Sequence, residues 1–254
     1  MRKFFLLLLV LWITADRAHA AETAPVLLSS ADAAKAWQAV GRVNVNGTGF
    51  CTGALITERL VLTAAHCMFD KRTGEAVRIR DIEFLAGWRD GRAAAVRSAR
   101  RVILHPDYSY ASRKRLDRVA NDLALIELDQ PIRNSRIKPF GWAKRPRIGQ
   151  EVKLVSYSQD HSEAPSLQET CHVLGRDPSV LVLSCKVTFG ASGSPIFVIE
   201  NGVPQIASVV SAKAEWKNQD VSLGTSLGLP LENLIAQMNA SDGVFHRIET
   251  VASH

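Results

Sequence analysis

The chain has 254 residues, 46% of them hydrophobic, with 31 Lys and Arg against 25 Asp and Glu for a formal charge of +6. That length gives room for one large all-β domain or two small lobes, with ample core in either case. After the leader no stretch approaches the roughly 20 apolar residues of a membrane helix. No nucleic-acid motif accompanies the modest basic excess, so stable membrane insertion and nucleic-acid binding are both set aside.

Residues 1–20 read as a signal peptide. Arg2 and Lys3 make a short basic start, Phe4 to Ile13 is almost wholly apolar, and Ala18-His19-Ala20 is a small-x-small cleavage site. Residues 21–37 form a small, polar N-terminal arm. A first lobe is expected over 38–130, from the short runs Gly53-Ala54-Leu55-Ile56, Leu60-Val61-Leu62, Ile82-Glu83-Phe84-Leu85, Arg101-Val102-Ile103-Leu104 and Leu123 to Leu128. Their length and Val/Ile/Leu content suit strands. Residues 131–147, with three prolines and many basic residues, read as a linker.

A second lobe and a helix follow over 148–242. Its strand runs are Val152–Val155, Val180–Leu183, Pro195–Ile199 and Ile206–Val210, with Asn201-Gly202 as a hairpin turn between the last two. Leu231, Leu234, Ile235 and Met238, spaced i, i+3, i+4, i+7 after Pro230, predict the helix, and 243–254 is a tail. Basic bunches at Arg97/Arg100/Arg101, Arg113/Lys114/Arg115/Arg118 and Lys144/Arg145/Arg147 read as solvated loops.

Export implies an oxidising compartment, so Cys51, Cys67, Cys171 and Cys185 are expected in two disulfides. Four cysteines allow three pairings. The local one, Cys51–Cys67 with Cys171–Cys185, closes short loops, and no Cys-x-x-Cys spacing suggests zinc. No metal or cofactor is expected.

Three motifs carry chemistry. They are Thr63-Ala64-Ala65-His66-Cys67, Asn121-Asp122-Leu123-Ala124-Leu125 and Gly190-Ala191-Ser192-Gly193-Ser194-Pro195. A hydroxyl holds its proton too tightly to attack at neutral pH. An imidazole can take that proton, and a carboxylate can fix the imidazole's tautomer and steady its positive charge. His105 and His172 lack the flanks of His66. Asp107 and Asp117 sit in charged stretches, whereas Asp122 directly precedes an apolar strand. Ser194 is the rival nucleophile, two residues beyond Ser192.

Together these motifs resemble the chymotrypsin/trypsin-like serine peptidase family, over roughly residues 38–238. The resemblance implies an all-β fold of two antiparallel six-stranded β-barrels with a C-terminal helix. It also implies a disulfide between Cys51 and Cys67, beside the catalytic histidine. By the same resemblance His66 is the base, Asp122 its orienting acid and Ser192 the nucleophile, with the backbone N–H groups of Gly190 and Ser192 as the oxyanion hole. The implied function is a secreted serine endopeptidase, monomeric, acting on protein or peptide substrates through an acyl-enzyme. The alternatives are an inactive protease-fold binding protein, or an esterase, although the Gly-x-Ser-x-Gly elbow is absent.

Two departures refine the picture. Ala191 stands where animal digestive members carry an aspartate, and no Ile/Val-Val-Gly-Gly run occurs between Ala21 and Val40. No activation beyond signal removal is therefore expected. The Gly-x-Ser-Gly-Ser-Pro form is similar to the bacterial branch that includes glutamyl endopeptidases, in the periplasm or the medium. Lys186, six residues before Ser192, falls where relatives place the floor of the specificity pocket, with Ser211 and Lys213 on a bordering segment. A lysine there would favour acidic side chains, although Val210 replaces the histidine that glutamyl endopeptidases use.

Overall fold

A computed structural model describes residues 22–45, 47 and 49–240. The expected signal peptide and the tail 243–254 lie outside the described residues. The arm carries a two-residue strand β1 (Val26–Leu27) and a one-turn helix α1 (Ala31–Ala34). Ser30 caps α1 by accepting the Ala33 N–H at 3.1 Å. The arm ends at Trp37, which is buried.

Next come β2 (Val40–Val45), β3 (Gly49–Leu55), β4 (Leu60–Thr63), β5 (Ile82–Ala86), β6 (Ala95–Leu104), a short helix α2 (Arg115–Ala120) and β7 (Ala124–Leu128). The strands close into an antiparallel barrel in the order β2-β3-β4-β7-β6-β5. Closure removes free strand edges, and inward side chains such as Val43, Val61, Phe84 and Ile126 fill the interior.

The second half holds β8 (Gly141–Trp142), β9 (Glu151–Ser158), β10 (His161–Asp177), β11 (Val180–Leu183), β12 (Pro195–Glu200), β13 (Val203–Trp216), β14 (Gln219–Ser226) and the terminal helix α3 (Leu229–Ala240). The path β10-β11-β14-β13-β12-β9 returns to β10 through the β9–β10 pairing, so these six strands form a ring. Strand β1 adds antiparallel to β10, and β8 adds parallel to β13. A closed barrel, a ringed second sheet and a C-terminal helix make the chymotrypsin-like all-β fold.

Two long strands, β10 and β14, had little apolar signal. Both bury polar residues; several have their hydrogen bonds met internally, while the Ser222 and Ser226 hydroxyls of β14 find no partner among the described residues. Ser166 donates to the Ser156 carbonyl, Ser208 on β13 donates to the Thr225 carbonyl, and Thr225 donates to the Val119 carbonyl. Reading arginines 97, 100 and 101 as a solvated bunch fails at Arg101. That side chain is buried, with Nε 3.0 Å from Glu127 Oε2 and Nη2 donating to the Met238 carbonyl at 2.7 Å. It ties the last turn of α3 to the barrel, where an arginine meets the carbonyls a helix end leaves unpaired.

Residues 131–147 are a fastened strap rather than a free tether. Ile132, Ile137 and Phe140 are buried in the main core, and the Phe140 N–H bonds to the Leu55 carbonyl at 2.9 Å. That core crosses between the two halves. It joins barrel residues to Val155, Tyr157, Phe197, Ile206 and Val209 of the second sheet and to Leu231, Leu234 and Met238 of α3. Trp37, Phe140 and Phe197 pack ring on ring at its centre, with centroids 4.7–6.1 Å apart.

Candidate active site

Strand β4 ends at Thr63, whose buried hydroxyl donates to the Thr52 carbonyl on β3 at 2.8 Å. The chain then turns through a 3₁₀ segment, Ala65–Met68, that carries His66. A disulfide from Cys67 to Cys51 on β3, with Cα atoms 6.2 Å apart, fixes that turn from behind. Asp122 sits in the short break between α2 and β7. Its backbone is held from the other half, because the Thr225 hydroxyl donates to the Val119 carbonyl at 2.7 Å and to that of Asp122 at 3.3 Å.

The Asp122 side chain is 4% exposed and that of His66 14%. Carboxylate oxygen Oδ1 accepts the His66 backbone N–H at 2.8 Å. Oδ2 lies 2.6 Å from His66 Nδ1 and accepts the Ser211 hydroxyl at 2.5 Å. A carboxylate this far from water needs donors on both oxygens, and three donors supply them, one to Oδ1 and two to Oδ2. With Nδ1–H committed to Asp122, the neutral ring carries its free lone pair on Nε2. Tyr108 packs nearby; burial first, and then the Asp122 charge, push its phenol well above the usual tyrosine value, so it stays protonated.

Ser192 lies in the irregular run that links β11 to β12. Its carbonyl accepts the Thr52 N–H at 2.8 Å, which moors it to β3, the strand that carries Cys51. Gly193, at φ +78°, explains the close fit. A Cβ there would stand 2.2 Å from Thr63 Oγ1 and 2.3 Å from the Thr52 carbonyl, so only glycine lets the serine turn lie against the strand leading to His66. Among the described residues the Ser192 hydroxyl makes no hydrogen bond to His66; such bonds commonly tighten only when substrate is present.

The amide donors around Ser192 divide cleanly. Those of Ala191, Gly193 and Ser194 are spent on the carbonyls of Thr188, Val210 and Ala191. The N–H groups of Gly190 and Ser192 have no protein acceptor among the described residues. Gly190 has φ +97°, and a Cβ would strike the Phe50 ring at 2.5 Å. Two unspent amides beside a part-exposed hydroxyl can serve an incoming oxyanion. Ser194 is wholly buried, so solvent and substrate cannot reach its hydroxyl.

The other residues singled out by sequence are placed differently. Ser211 faces Asp122, a partnership the sequence reading, which had it lining a pocket, did not anticipate. Thr52 and Thr225 were also missed, because single threonines in strands carry no spacing signal. Lys213 pairs with Asp220 at 2.9 Å on the surface. Lys186 is exposed, and its backbone N–H bonds to Gln168 Oε1 at 2.9 Å. His105 sits in a turn and accepts the Asp107 N–H, and Asp107 and Asp117 are exposed. Cys171 bonds to Cys185, Cα to Cα 5.1 Å. Cys51, His66 and Cys67 cluster within 4.8 Å, but the two sulfurs are bonded to each other and are not free to ligate a metal.

Comparison with known proteins adds to this geometry. A family described as Trypsin matches residues 29–221. The chain is 32% identical over 107 residues to a trypsin of Phaedon cochleariae, covering 41% of this chain and 36% of that protein. It is 32% identical over 111 residues to coagulation factor IX of Cavia porcellus, covering 43% and 35%. The matched stretch thus spans about a third of the length of these relatives. A solved glutamyl endopeptidase superposes with a TM-score of 0.68 at 17% identity, covering 85% of this chain and 97% of its own.

Proposed function

Since the chain belongs to the trypsin family, we propose that it is a secreted serine endopeptidase working through His66, Asp122 and Ser192. The observation that carries this reading is the Asp122 carboxylate, buried, aimed at His66 Nδ1 and held by three donors. No structural need accounts for so much fixing of one part-exposed imidazole, whereas catalysis needs that ring held in one tautomer.

In this reading His66 Nε2 takes the Ser192 proton as Oγ bonds to the substrate's peptide carbonyl carbon. The carbonyl π pair moves onto oxygen, which the Gly190 and Ser192 N–H groups receive. Each such donor is worth about 3 kcal/mol in the transition state. Asp122 steadies the imidazolium through Nδ1–H. The C–N bond then breaks, the imidazolium gives its proton to the leaving amine, and an ester to Ser192 remains. Water attacks the acyl carbon as His66 accepts its proton, and the same hole receives the second tetrahedral oxyanion. The C–Oγ bond then breaks, with the imidazolium returning its proton to Ser192 as the acid product departs.

The leader motif and the two disulfides support export to the periplasm or the medium. Ala191, buried and apolar, offers no carboxylate to a new N-terminus, which supports activity without a further activating cut. Labelling with an organophosphorus reagent tests the core of the proposal. Stoichiometric modification of Ser192, lost in Ser192→Ala and His66→Ala, is the expected result; a folded protein that the reagent leaves untouched would refute it.

A further inference from the structure

Gln168, on β10, is fully buried, and both ends of its amide are engaged. Nε2 donates to the Thr23 carbonyl at 2.7 Å, and Oε1 accepts the Lys186 N–H at 2.9 Å. A buried amide that bridges two main-chain groups is costly to disturb, because loss of either partner strands a polar atom away from water. The register between β9 and β10 shifts between Gln168 and Cys171, an irregularity of the kind that re-aims side chains beside a site.

The two segments it joins are distant in sequence. Thr23 opens the N-terminal arm. Its N–H bonds to the Thr170 carbonyl at 3.0 Å, and its hydroxyl accepts the Thr170 N–H at 2.9 Å. Val26 and Leu27 then pair with Leu167 and Ser166, and the Leu28 N–H reaches the Pro165 carbonyl at 2.8 Å. The arm is therefore zipped along one edge of β10. Lys186 opens the other segment, a run without strand or helix between β11 and Pro195 that carries Gly190 and Ser192. Segments of that kind open locally at low cost unless something anchors them. Behind Lys186 stands the Cys171–Cys185 disulfide; ahead of it, the next backbone ties are at Thr188, whose carbonyl accepts the Ala191 N–H at 3.1 Å, and at Phe189, whose carbonyl accepts the Gln159 N–H at 2.7 Å.

We propose that Gln168 is a positioning residue, and that the docked N-terminal arm, acting through this one amide, helps hold the Ser192 segment in its reactive conformation. Arm and segment are then coupled. Release of the arm loosens Gln168, and a loosened Gln168 frees the entry to the run whose two unspent amides form the candidate hole. The effect on rate rests on the endopeptidase reading above; the coupling itself does not.

Hydrogen exchange and Ser192 labelling on the purified protein, with Gln168→Leu and Thr23→Pro, separate the two. Gln168→Leu should speed exchange in both 23–28 and 186–194 while β2 to β7 keep their protection. It should also slow labelling about tenfold, the scale of one lost buried hydrogen bond. Thr23→Pro leaves Gln168 in place and attacks only the arm; it should produce the same loosening of 186–194 and a similar fall in kcat with KM less changed. If Thr23→Pro frees the arm but leaves exchange in 186–194 and the labelling rate as in wild type, the coupling is wrong. Loss of protection throughout β2 to β7 in Gln168→Leu would likewise replace it with a general packing role. A wild-type protein that never labels refutes the peptidase reading, yet the exchange data still decide the coupling.

Discussion

At the scale of single residues, the site is built around one carboxylate. Asp122→Asn keeps the shape but loses the charge, and its amide can face Nδ1 with a donor. That favours the wrong imidazole tautomer, so kcat should fall about 10⁴-fold with little change in stability. A pH-rate profile alongside thermal melts checks this, and a variant with near wild-type kcat would remove Asp122 from the mechanism. Ser211→Ala removes only one of three donors to that carboxylate, so its loss should be far smaller. These residues were legible in unequal measure. His66, Asp122 and Ser192 each sit in a distinctive run of neighbours, whereas Ser211, Thr52 and Gln168 are isolated polar residues in strands. Their importance comes from what lies opposite, and a sequence does not print that.

At the scale of elements, hydrogen bonds and charge fix the joints. Burial lowers the His105 pKa below the usual 6.5, outweighing the opposing pull of Asp107, and the ring accepts the Asp107 N–H as a neutral base should. The folded state thus disfavours protonation relative to the unfolded chain. Stability from this residue is complete above pH 6.5 and is lost as pH falls from 6.5 towards the lowered folded value. His105→Asn keeps an acceptor but cannot titrate, so denaturation midpoints should show a flatter pH dependence for the variant in that window. Identical slopes would discount the effect. Arg101 is the joint between barrel and helix α3. Arg101→Leu leaves the Met238 carbonyl unpaired and Glu127 facing Arg100 alone, at 3.6 Å, and should cost about 3 kcal/mol in urea unfolding. The strands with apolar runs were readable from sequence. Strands β10 and β14 were not, because serines, threonines and glutamine buried within a sheet look like loop composition.

At the scale of the whole molecule, His66 and Asp122 stand on the barrel and Ser192 on the second sheet, so the site exists only while the halves are docked. The Trp37–Phe140–Phe197 cluster lies in the core that joins them. Phe197→Ala should cost about 3–5 kcal/mol, as large-to-small core changes do. Because the cavity opens at the joint, labelling of Ser192 should decline at temperatures below the main melting transition. Coincident loss of both would place Phe197 in the general core instead. Each disulfide closes a loop of about 15 residues and should contribute about 3 kcal/mol by restricting the unfolded chain. Paired Cys→Ala variants at 171 and 185 measure this by denaturant titration.

The sequence by itself determined the all-β class, the terminal helix, the family and the three chemical motifs. Period, turn residues and the flanks of reactive residues are local properties that survive without coordinates. Only the tertiary structure decided the rest. It gave the linker its role as a packed strap, buried Arg101 under α3, spent Lys213 on Asp220 and turned Ser211 towards Asp122. It also joined the arm to the Ser192 segment through Gln168. Those outcomes depend on which groups a closed barrel and a ringed sheet leave facing each other. That is fixed by strand register and burial, across separations that reach 145 residues between Thr23 and Gln168, and no local pattern encodes it.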